Sequence, residues 1–161
     1  MLAMMRTEQN PGSDYYRFEH MSIEQINEFF EKSQKELSNT ITLDLLSAAE
    51  GRLRDDFEKR AQDDTRTDSV SKDFKVIAKY CIRDRKRNPL NLRTMLDVWS
   101  IHHPNNTGSI NRFLKYWPLR NWLAHGRWTP QPSFEGPALP PPDDVKDAIE
   151  TLLANLGIPT S

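Results

Sequence analysis

The chain has 161 residues, of which 37 % are hydrophobic and 28 % charged, with a formal net charge of −1. That is length enough for one domain with a real core, in an ordinary globular balance. Its apolar runs are far too short to span a bilayer, the start "MLAMMRTEQNPGSD" lacks the apolar core of a signal peptide, and the single cysteine, Cys81, excludes a disulfide framework and a multi-cysteine zinc site.

Residues 1–14 read as disordered or loosely ordered, and 15–161 as one domain. Ser22 followed by Gln25 is a capping-box pattern, so a helix is expected from about Ile23. Ile23, Ile26, Phe29, Phe30 and Leu37 form one face of it. A second long helix is expected over roughly 41–61, with Leu46, Leu53 and Phe57 in a stripe and Ala49 beside it. "QDDTRTDS" is a solvated loop. Phe74, Ile77, Ala78, Cys81 and Ile82 mark a third helix, where Cys81 reads as a buried structural thiol. "RDRKRN" ends that helix, and Asn88-Pro89 can cap and start the next. Leu92, Met95, Leu96 and Trp99 mark the fourth helix, and "HHPNNTG" breaks it. Ser109 can cap a fifth helix carrying Ile110, Phe113, Leu114 and Trp117. Pro118 kinks or restarts it, and the next segment runs to His125. Gly126 then stands where a left-handed residue ends a helix.

The proline-rich connector 129–142, "TPQPSFEGPALPPP" at its core, has no helical option. A last amphipathic helix is expected over about 143–156, with Val145, Ala148, Ile149, Leu152, Leu153 and Leu156 on its inner face. No stretch alternates as a strand does. The reading is all-α, a single-domain helical bundle of about five to seven helices.

Charge is unevenly placed. Residues 1–78 sum to −5, residues 79–128 to +8 and residues 129–161 to −4. A positive middle third is the footprint of a polyanion site, unless acidic helices fold back over it. Within that third lies "YWPLRNWLAHGRW", Tyr116 to Trp128. Residues five apart on a helix differ by about 140° and 7.5 Å, so short side chains there share no contact. Arginine is long, and the histidine lies at the helix end, so Arg120 and His125 can reach one groove. His125 sits at the negative end of the helix dipole. A histidine can take a proton from a ribose 2′-OH or give one to a leaving oxygen. Arginine offers a fork that fits a phosphate and stabilises charge developing on it. One proton-transfer group and one phosphate clamp suffice for RNA cleavage through a 2′,3′-cyclic phosphate without a metal. Asn121 adds a neutral donor and acceptor beside Arg120.

"RNWLAH" resembles the R-x4-H signature of the HEPN superfamily, the higher eukaryote and prokaryote nucleotide-binding domains. Arg120, Asn121 and His125 fit it, and "LAHG" fits its usual ending. The resemblance implies a small helical bundle and a metal-independent endoribonuclease of toxin or defence type, with no cofactor. It also implies a site formed where two copies of the motif face each other in a homodimer, and it suggests a cognate antitoxin protein as a partner. The alternative is a non-catalytic HEPN-like module that binds nucleotides, RNA or a protein. In family toxins neutralised by adenylylation a tyrosine stands two residues after the histidine. Arg127 stands there in this chain, so that chemistry does not carry over.

Around the motif, Glu50 interrupts the stripe of Leu46, Leu53 and Phe57, and a carboxylate there needs a partner. Arg54, one turn on, is the simplest one. By resemblance to other HEPN domains, Glu50 instead orients Arg120 or His125. Arg127 is a supporting residue. Arg83, Arg85, Lys86, Arg87 and Arg93 are candidates to track an RNA backbone, with solvated helix ends as the plain reading. Trp128 is the best candidate to stack on a base, while Trp117 and Trp122 are expected in the core. His102 and His103 point apart and have no third ligand close in sequence, so no metal site is expected. The setting expected for the protein is cytoplasmic, with RNA as partner and no membrane.

Overall fold

The structure, a computed structural model, describes residues 18–83, 91–126, 130–134 and 139–159, with the backbone alone for 81–83. It is all-helical, as expected. In order come α1 (Ile23–Gln62), α2 (Ser69–Arg83), α3 (Leu92–His102), a 3-10 turn (Pro104–Asn106), α4 (Thr107–Leu114), α5 (Trp117–Ala124) and α6 (Pro142–Leu156). No strand occurs among the described residues, and none of their helices is long and apolar enough to cross a membrane. The proposed disorder of 1–14, the cap at Asn88-Pro89 and the side chains of Cys81 and Ile82 lie outside the described residues.

Two expected helices are one. The separate helices beginning near Ile23 and at 41 are the single 40-residue α1. The polar run Ser38-Asn39-Thr40 lowers helix propensity but supplies neither a proline nor a glycine to stop the helix.

The chain divides between Leu37 and Ser38 into two compact units. In the first, the capping box forms: the Ser22 backbone N–H donates to Gln25 Oε1 at 2.8 Å, and the Gln25 N–H donates to Ser22 Oγ at 3.3 Å. Phe18 packs against Phe29 and Phe30, with ring centroids 5.4 and 5.6 Å away. The apolar face expected here is only partly buried. Ile26 and Phe29 are half-buried, whereas Ile23, Phe30 and Leu37 are exposed. Residues seven apart fall on one stripe, and periodicity alone does not say whether that stripe has something to pack on.

The second unit holds the core. Leu46, Ala49 and Leu53 of α1 meet Val70 and Phe74 of α2, Met95, Leu96 and Trp99 of α3, and Ile110 and Phe113 of α4. From α6 come Val145, Ile149, Leu152, Leu153 and Leu156, five of the six positions expected to face inward; the sixth, Ala148, is also fully buried. Phe74 is the hub, edge-on to Phe57 at 4.9 Å and to Trp99 at 6.4 Å. Aromatic edges meet ring faces because the ring edge is positive and its face negative.

Helix ends follow their sequence chemistry. Asn91 caps α3, its side chain accepting from the Arg93 N–H at 3.0 Å. Ser109 does not start its helix as expected. Pro104 opens a 3-10 turn that feeds α4 from Thr107, so Ser109 lies inside α4 and bonds back to the Asn106 carbonyl at 2.8 Å. Gly157, at φ 67°, closes α6. Its N–H donates to the Ala154 carbonyl at 3.0 Å and the Ile158 N–H to the Leu153 carbonyl at 2.9 Å, the paired bonds of a Schellman end.

Asp68 precedes α2. One carboxylate oxygen accepts from the Ser71 N–H at 3.0 Å and the other from the Ser71 hydroxyl at 2.7 Å. Partial desolvation pushes the Asp68 carboxyl up, but both Ser71 bonds and nearby Arg60 outweigh it, and the group ends below its ordinary value. Its stabilising effect is therefore present above the unfolded-state pKa and lost as pH falls through the lower folded value. Asp68→Ala is expected to lower stability by about 1 kcal/mol at neutral pH, read by urea denaturation. The gap to wild type should close as the medium is acidified through that range.

Candidate functional site

The motif stretch folds as two helical turns between two breaks. Tyr116 stands at the N-cap position of α5 without a side-chain capping bond, Pro118 lies in its first turn, and the His125 N–H donates to the Asn121 carbonyl at 3.0 Å as the helix ends. Gly126 takes φ 73°, the left-handed turn expected there. Leu119 and Leu123, one turn apart, are buried at 1 % and 8 % exposure and seat α5 in the fold. Their placement turns Asn121, Ala124 and His125 outward, while Arg120 lies at the margin. Trp117 and Trp122, expected in the core, are half-buried. Trp117 packs against the edge of the core, 6.1 Å from the Phe113 ring centroid.

Arg120 is held from three sides. Its Nη2 meets Glu50 Oε2 at 2.9 Å. Its Nη1 donates to Asn121 Oδ1 at 3.4 Å, long for a hydrogen bond. Its guanidinium carbon lies 5.4 Å from the Trp117 ring centroid, within cation–π range. Arg120 Nε is buried without a hydrogen-bond partner among the described residues. The side chain as a whole retains 26 % exposure.

Glu50 serves two arginines. Its Oε1 accepts from Arg54 Nε at 3.0 Å and from Arg54 Nη2 at 2.7 Å, while Oε2 takes Arg120. Arg54 as partner and Arg120 as partner, weighed against each other from the sequence, are both present. With the Glu50 side chain only 14 % exposed, the carboxylate needs such partners. Among the described residues one carboxylate thus stands between two guanidiniums where α1 meets α5.

His125 stands apart from this cluster. It is exposed, and its ring makes no hydrogen bond, ion pair or ring contact among the described residues. Within one chain the structure thus joins Glu50, Arg54, Arg120 and Asn121, and leaves His125 at the end of the same helix. Arg93 is exposed on the first turn of α3. Arg85, Lys86, Arg87, Arg127, Trp128 and the Arg83 side chain lie outside the described residues. His102 and His103 diverge as expected: His102 Nε2 pairs with Asp73 Oδ2 at 2.7 Å, and His103 packs on Trp99 at 5.3 Å. No group of three or more His, Cys, Asp or Glu among the described residues is placed to hold a metal.

Arg54 is bonded to Glu50 as its i+4 spacing led one to expect. One participant escaped the sequence reading. Trp117 was assigned to the core, although it lies three residues before Arg120 and so on the same side of the helix.

Comparison of the chain with protein-family models, with curated proteins and with solved structures gave no match.

Proposed function

We propose that this chain is a metal-independent endoribonuclease of the HEPN type, cleaving RNA through a 2′,3′-cyclic phosphate. The observation that carries the reading is Arg120, a cation fixed by Glu50 and Trp117 on a two-turn helix that ends at the exposed His125. His125 is the general acid and base. The Nη1 corner of Arg120, held among the described residues only by a long bond to Asn121, meets the scissile phosphate, and Asn121 orients that corner. Glu50 positions Arg120 and touches no substrate. Arg93, with Arg83, Arg85, Lys86, Arg87 and Arg127, guides the RNA backbone, and Trp128 stacks on a base. Since His125 makes no contact with Arg120 in one chain, two chains are assigned to one site, each motif facing the other in a homodimer. A toxin or defence role, with a cognate antitoxin protein, completes this reading.

A second reading has its own observation. Arg120 is already paired with Glu50 and its Nε is buried, as in a module that binds RNA or nucleotides without cleaving them. Incubation of the wild-type protein with total tRNA and with mixed-sequence RNA, both in EDTA, separates the two. The nuclease reading expects cleavage products ending in 2′,3′-cyclic phosphate. RNA that is bound but left intact in every case supports the binding module.

A further inference from the structure

On the side of α1 away from Glu50 lies a groove of about 380 Å³. Its side chains are Arg52, Asp55, Asp56, Lys59, Arg60 and Arg66, and residues 157–159 close it. Positions 52, 55, 56, 59 and 60 recur at helical spacing and share one face of α1. Arg52, two residues after Glu50, is about 200° around the helix from it. The groove is therefore separate from the Arg120 cluster, and a ligand bound there is independent of the nuclease reading.

We propose that this groove binds a compact phosphate-bearing small molecule. Four cations and two carboxylates line it, Asp68 and Asp63 pair with Arg60 and Arg66 at its edge, and so polar a wall does not suit an apolar ligand. Its floor is fixed. Arg60 bonds both oxygens of Asp56 at 2.9 and 3.0 Å and lies 4.6 Å from the Trp99 ring centroid. Arg52 Nη1 donates to the Pro159 carbonyl at 2.6 Å and ties the closing segment to α1.

The mouth is adjustable. Lys59 pairs with Asp55 at 2.6 Å and Arg66 with Asp63 at 3.4 Å, with all four side chains at least 40 % exposed. Exposed pairs of this kind contribute only about 0–1 kcal/mol, so a phosphate can take over the ammonium and the guanidinium at small cost. Both head groups bind phosphate through charge-assisted bonds, the arginine through a fork. Burial pushes the Asp56 carboxyl up, against the hydrogen bonds of Arg60. The space is within the range of small-molecule sites, roughly 300–1,000 Å³.

Isothermal titration with inorganic pyrophosphate and with ADP tests the site. Wild type is expected to bind one molecule per chain. Lys59→Ala and Arg66→Ala should each weaken binding about tenfold or more. Lys146→Ala, on the exposed face of α6, should leave it unchanged. The substituted side chains are exposed, and thermal melts check that each variant folds. Equal affinity for the two probes assigns the site to the anion alone, and tighter ADP binding adds the nucleoside to what is recognised; either supports the proposal. No saturable binding of either probe overturns it, as does binding that survives both groove substitutions.

Discussion

His125→Ala is expected to lower the rate of RNA cleavage by about 10²–10⁴-fold, the usual contribution of a positioned proton-transfer group. The same change should leave the melting temperature nearly untouched. The His125 ring is exposed and has no partner among the described residues, and the bond that ends α5 belongs to its backbone N–H. His125 is the C-cap residue of α5, but its capping bond is made by the backbone and survives the substitution, so the change should stay within roughly 0.5 kcal/mol. Activity and stability therefore separate at this residue. Steady-state cleavage of a single tRNA, set beside a thermal melt, reads both. A large fall in stability with His125→Ala would mean that the ring is packed or bonded, contrary to its exposure.

At Glu50 the two quantities should move together. Glu50→Ala removes the carboxylate that holds Arg120 and Arg54. Breaking a fully buried ion pair costs about 3–5 kcal/mol. Arg54 and Arg120 keep 36 % and 26 % exposure, and water partly solvates what is left, so a loss of about 2 kcal/mol is expected after that screening. Cleavage should fall as well, because Arg120 loses its anchor and a small misplacement of a phosphate clamp is costly. Glu50→Gln keeps an acceptor and removes the charge, so it should restore more stability than rate. Urea denaturation and cleavage of the same RNA measure the two effects. If Glu50→Ala retains full rate while losing stability, Glu50 holds α1 to α5 and does nothing for the site.

Most of the fold was legible because it rests on local rules. The inner face of α6 followed the helical period residue by residue, and Gly126 lay where a helix end needs a positive φ. The misreadings came where the outcome depends on distant packing. Ser38-Asn39-Thr40 looked like a break, yet in the folded unit Asn39 is buried within a continuous helix. Ser109 had the chemistry of a cap, but the turn started by Pro104 set the boundary three residues earlier, with Asn106 at the N-cap. At the candidate site, the spacing of Arg120, Asn121 and His125 was visible in the sequence, and so was the need of Glu50 for a partner. That Glu50 reaches an arginine 70 positions further along the chain is a tertiary fact that no spacing rule contains.

If the Arg120–His125 stretch is an RNA-cleaving site, its most direct test is the cleavage of one tRNA in EDTA by wild type, Arg120→Ala and His125→Ala, each shown to be folded by circular dichroism. Wild type is expected to leave 2′,3′-cyclic phosphate ends. Both substitutions should abolish most of this activity, Arg120→Ala by about 10²–10³-fold as for the loss of a charge-stabilising group. Cleavage that persists in both variants would contradict the nuclease reading of this stretch and place the active site elsewhere.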